Sequence, residues 1–99
     1  MSYNEYLIKD GELYNCDRHG NKGHRVASNV DRADYSESMG VFLVLTRDGV
    51  VVTRDRNGNI RNTIARDARN ARFNGDEFLV EFNNGRTMRV DKHGNKREM

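Results

Sequence analysis

The chain reads as an all-β protein built from tandem antiparallel hairpins in a meander. Three observations point there. A motif is written three times at nearly equal spacing: Asp17 to Lys22 (DRHGNK), Asp55 to Ile60 (DRNGNI) and Asp91 to Lys96 (DKHGNK). Nine residues before each motif glycine stands another turn glycine, pairing Gly11 with Gly20, Gly49 with Gly58 and Gly85 with Gly94. Between these glycines lie short apolar runs rich in β-branched and aromatic residues. A fixed period of 36 to 38 residues marks one supersecondary unit copied in tandem.

Each copy opens on an apolar run: Tyr6-Leu7-Ile8, Phe42 to Leu45, and Phe78-Leu79-Val80. Tyr6, Phe42 and Phe78 are 36 residues apart and are read as equivalent. A hairpin turn follows at Asp10-Gly11, Asp48-Gly49 and Asn84-Gly85. Such pairs suit a type I′ turn, whose two central residues both need positive φ. Second strands run through Leu13 to Cys16, Val50 to Arg54 and Arg86 to Val90. The repeated motif turns the chain again at His19-Gly20, Asn57-Gly58 and His93-Gly94, where Asn and His are read as tolerating positive φ. Third strands leave it at Lys22 to Val26, Ile60 to Ile64 and the stub Lys96 to Met99.

Two connectors match as well. Ala27, Val30, Ala33 and Tyr35 correspond to Ala65, Ala68, Ala71 and Phe73, at offsets of three, three and two. Helical turns would place apolar residues at three and four, so short strands are expected, with a helical connector as the alternative. Turns at Ser38-Met39-Gly40 and Asn74-Gly75-Asp76 close the connectors. The result is one domain over residues 1–99, with copies at approximately 5–26, 27–64 and 65–99.

Four antiparallel strands joined by tight turns in 36 to 40 residues are similar to the blade of a β-propeller. The resemblance implies about 2.5–3 blade-like units, arranged as an open curved sheet or as part of an oligomeric ring. Phe42 to Leu45 and Val50-Val51-Val52 are apolar on both strand faces, so both faces should be covered. The apolar fraction is only 35%, which suggests a thin core. Together these favour a homo-oligomer, paired through sheet edges left open in the first and third copies.

Composition excludes several classes. A single cysteine rules out an internal disulfide framework, and Cys16 has no CxxC partner. It reads as a small apolar core residue. His19, His24 and His93 lack the soft ligands a zinc site needs. The motif D-x-[HN]-G-N superficially resembles a calcium loop, but Ile60 and Arg66 stand where glycine and glutamate belong. It reads as a structural turn. No apolar run is long enough for a signal peptide or membrane span, so cytoplasmic residence is expected and no membrane contact. No nucleophile motif or carboxylate pair is visible, so neither an enzyme nor a cofactor is expected.

Charge is the remaining signal. Net charge is +2, but residues 54–99 carry eleven of the seventeen basic side chains. Arg54, Arg56, Arg61, Arg66, Arg69 and Arg72 crowd into nineteen residues, with Asn59, Asn62 and Asn70 interleaved. Arginine forks suit phosphates and carboxylates. The expected function is a non-enzymatic module presenting a β-repeat surface to another macromolecule, a protein partner included. A nucleic-acid or anionic-ligand binder using the arginine-rich C-terminal half is the alternative. A sugar-binding, propeller-like lectin is disfavoured, because the chain has no tryptophan.

Overall fold

The structure is a computed structural model that describes residues 6–16 and 21–98. The first copy of the motif, with Asp17, His19 and Gly20, lies outside the described residues. Strands account for 65% of the described residues, with no helix among them. Among the described residues, therefore, no helix is long and apolar enough to cross a membrane.

The chain folds into three consecutive antiparallel meanders. The first sheet is β1 (Tyr6–Lys9), β2 (Glu12–Cys16) and β3 (Lys22–Ala27). The second is β4 (Val30–Ser36), β5 (Val41–Thr46), β6 (Val51–Arg54) and β7 (Ile60–Ala65). The third is β8 (Ala68–Asn74), β9 (Glu77–Phe82), β10 (Thr87–Val90) and β11 (Lys96–Glu98). Within each sheet, every hydrogen-bonded neighbour is a neighbour in sequence. The connectors are thus strands, β4 and β8, each opening the next sheet. The sheets stay open and form no closed barrel.

The sheets pack face to face, and the middle one is covered on both sides. Side chains alternate along a strand, so β5 divides its own run between two cores. Phe42 and Val44 enter a cluster with Leu13, Val26, Ala27 and Val30 at the first joint. Leu43 and Leu45 enter another, with Phe78, Val80, Phe82 and Val90, at the second. All five residues from Val41 to Leu45 are buried. The two-sided cover read from the sequence is thus supplied inside one chain.

Two local readings need correction. Among the described hairpins, only the first has positive φ at both central residues, Asp10 (54°) and Gly11 (78°). At the Asp48, Asn57, Asn84 and His93 turns the glycine alone is left-handed. Those four turns are three-residue loops. Gly49 N–H donates to Thr46 O at 3.0 Å while Thr46 N–H donates to Val50 O at 2.9 Å. The same bracket recurs at Asp55–Asn59, Phe82–Arg86 and Asp91–Asn95. This is a type I turn followed by a glycine bulge. The residue before the glycine is then right-handed, so Asn57 and His93 are not there for positive φ.

That difference in loop length shifts the first strand. Lys9 pairs with Glu12 across a two-residue turn, whereas Leu45 pairs with Val51 across a longer one. Tyr6 therefore faces the second sheet, meeting Phe42 edge-on at 5.6 Å. Phe42 and Phe78 each face the preceding sheet. Tyr6 thus lies on the opposite face from its apparent sequence equivalents.

The joints themselves repeat. Val30 N–H donates to Gly11 O, and Arg47 N–H to Asn29 O. One joint later, Ala68 N–H donates to Gly49 O, and Asn83 N–H to Asp67 O. Asn29 (φ 56°) and Asp67 (φ 57°) adopt the left-handed conformation that lets two residues carry the chain from one sheet to the next.

Candidate functional site

The repeated Asp-x-[Asn/His]-Gly-Asn motif holds a turn together. Asp55 Oδ1 accepts from the main-chain N–H of Asn57 (2.9 Å) and Asn59 (3.0 Å), while Asn59 Nδ2 returns to Oδ2 (3.2 Å). Asp91 repeats this with His93 and Asn95. Those donated bonds, the Asn59 and Asn95 amides foremost, hold both carboxyls below the ordinary aspartate value of 3.8. The sign follows from linkage: a lowered native pKa stabilises the fold above pH 3.8, and the contribution is lost as pH falls through the native values. Replacing both aspartates by asparagine should therefore flatten acid destabilisation below about pH 4, followed by urea midpoints against pH. An unchanged pH profile would show that the carboxylate bonds add nothing in solution.

The six arginines of the sequence cluster do not converge. Arg54 and Arg56 turn back to the first joint. Arg54 Nη1 donates to Gly58 O at 2.6 Å and to Val26 O at 3.4 Å. Arg56 Nη2 donates to Cys16 O at 3.4 Å, and its guanidinium lies 5.2 Å from the Tyr35 ring centre. Both are half-buried ties between sheets. Arg61 lies exposed on β7 and Arg66 exposed in the linker before β8. Arg69 pairs with Glu81 at 3.0 Å. Arg72, also exposed, borders a cleft of about 320 Å³ between β4 and β8, where Arg32 Nη1 donates to Asn70 Oδ1 at 2.6 Å. Cys16 is buried and unpaired with any other cysteine. Among the described residues no group of three or more His, Cys, Asp or Glu is placed to hold a metal ion.

Strand register assembles a different arginine set. Arg72 pairs with Leu79, Leu79 with Arg89, and Arg89 with Arg97, forming one row across β8, β9, β10 and β11. Directly paired residues share a face. Phe78, Val80 and Phe82 point into the core, so Leu79 and its row occupy the outer face. Arg72 and Arg89 form no hydrogen bond or ion pair among the described residues. Arg97 reaches Glu77 at 3.4 Å.

The equivalent row in the second sheet is Asp34, Leu43, Thr53 and Asn62. There Leu43 and Thr53 are buried, Asn62 is half-buried and Asp34 is exposed. Only the leucine is kept. Alongside it, buried Leu45 and Val51 become Glu81 and Thr87, 36 residues on. The third sheet therefore keeps the strand frame of the second but replaces its apolar docking face with a basic one. Residue-number proximity missed Arg89 and Arg97; the 36-residue offset from Thr53 to Arg89 was the available signal.

The opposite end is also polar. Tyr14 donates to Glu12 at 2.6 Å, Arg25 pairs with Glu12 at 2.8 Å, and Lys22 Nζ sits 4.4 Å from the Tyr14 ring centre. This network sets two cations, Arg25 and Lys22, against the single carboxylate of Glu12. Compared with known proteins, the chain matches no protein-family model, and no curated protein is significantly similar to it.

Proposed function

We propose that this protein is a non-enzymatic binding module whose β8–β11 outer face engages an acidic surface of another protein. The row Arg72–Leu79–Arg89–Arg97 carries the reading, because it replaces a docking face of known composition with three guanidinium groups around an apolar centre. Arginine around a buried apolar anchor is the composition that protein interfaces favour. Four arginines stand on this face against Glu77 and Glu81. No aromatic ring lies in the row, which leaves little for stacked bases and ranks nucleic acid second.

The test is retention on immobilised poly-glutamate peptide and on duplex DNA across a salt series. Salt-sensitive peptide binding is expected, and it should disappear in Arg72→Ser/Arg89→Ser/Arg97→Ser. That variant should stay folded, since Arg72 and Arg97 are exposed and Arg89 is half-buried outside the apolar core, where substitutions shift stability by only about 0.5 kcal/mol each. Binding to DNA alone would transfer the face to the nucleic-acid reading. Absence of salt-dependent binding to either would remove both.

Self-association through strand edges is a second reading. β1 and β11 each pair on one side only, and Leu7 and Ile8 on β1 are exposed at 41% and 38%. Light scattering across micromolar concentrations tests it. A monomeric mass throughout would end it.

A further inference from the structure

The two joints between sheets are built alike except in one place. At the first joint the main-chain oxygen of Arg56 is clamped by Asn15 Nδ2 at 2.8 Å and His24 Nε2 at 2.8 Å. The Arg56 side chain then closes over Cys16 O and the Tyr35 ring. Repeat spacing places Lys92 at the position of Arg56, Thr53 at that of Asn15 and Asn62 at that of His24. At the second joint this clamp is missing. The Thr53 hydroxyl is engaged locally, accepting from Asn62 N–H at 3.1 Å and facing Asn62 O at 3.4 Å. Lys92 is exposed and forms no bond among the described residues.

A cleft of about 330 Å³ opens where the clamp would be. That is within the range of small-molecule sites. Met39 and buried Val41 give it an apolar floor. Arg61 and Lys92 stand at its rim, both without ion pairs among the described residues, with Asp76 as the one carboxylate in the lining. Two unneutralised cations above an apolar floor favour an anion with an apolar body. They disfavour a cation or an extended sugar.

We propose that this cleft binds a small organic oxyanion, its phosphate or carboxylate held by Arg61 and Lys92 and its apolar part resting on Met39 and Val41. The site lies apart from the β8–β11 outer face and stands or falls independently of it.

Phenyl phosphate and benzoate are suitable probes, with benzyl alcohol as the uncharged control, followed by amide shifts in ¹⁵N–¹H spectra. Saturable shifts at Val41, Thr53, Asn62 and Lys92 are expected for one or both anions, with a Kd of about 1 mM or tighter. Benzyl alcohol should bind more weakly. Arg61→Ser with Lys92→Ser should weaken binding by about 10-fold or more, and Asp76→Ser should tighten it. The triple serine variant of the outer face should titrate as wild type. No saturable shift from either anion, or shifts that vanish in the outer-face variant, would overturn the proposal.

Discussion

Gly58→Ala should cost far more stability than Gly85→Ala, although both glycines close the same kind of turn. Their backbones are almost equally left-handed, at φ 95° and 90°. Forcing an alanine into such a conformation costs roughly 1–3 kcal/mol at either site. The surroundings then separate them. A Cβ on Gly85 meets nothing within 4 Å, whereas one on Gly58 lies 3.0 Å from Val26 O and 3.3 Å from Val26 Cα. Those atoms belong to the main chain of β3, so relief requires moving the second sheet off the first. Overpacking of this kind adds about 1–3 kcal/mol. Urea denaturation of the two variants measures the difference directly. Equal losses would mean that the turn does not press on the first sheet in solution.

Phe42→Ala should be the most damaging truncation in the first joint. The ring is fully buried, meets Tyr6 edge-on at 5.6 Å and lies 4.8 Å from Tyr35. Such truncations typically cost 3–5 kcal/mol, against a total stability of about 5–15 kcal/mol for a domain. The cavity would open between the first and second sheets, beside Leu13 and Val44. Leu79→Ala removes a half-buried leucine from the outer face and should cost much less. If both variants share one urea midpoint, the packing assigned to the first joint is wrong.

Much of the architecture was legible because turn glycines and apolar runs both keep the repeat period. Connector strands β4 and β8 could be inferred from Ala33-Asp34-Tyr35 and Ala71-Arg72-Phe73, whose alternation suits a pleated strand. Loop geometry was not legible. One residue more or fewer between Lys9 and Glu12 reverses the face of Tyr6, and nothing in the apolar pattern of β1 announces it. Asn29 and Asp67 lack the glycine that usually marks positive φ, so the crossings between sheets went unseen. The six clustered arginines are dispersed for a related reason. Neighbours in sequence alternate between faces and pass from sheet to sheet, so Arg54 ends at the first joint and Arg69 beside Glu81 within the third sheet. Arg72, Arg89 and Arg97, spread over twenty-six residues, are aligned only by hydrogen-bond register.

The basic face of the third sheet also bears on how such a stack grows. A middle sheet with two apolar faces would accept another layer on either side, and each added layer would offer the same invitation. Copies joined head to tail in that way form open filaments, since nothing in the geometry returns the last layer to the first. Glu81, Thr87 and Arg89 interrupt this series at its third member by making a further layer desolvate charge without a partner. The substitutions that give the third sheet its basic outer face therefore also oppose layer-on-layer growth from that face.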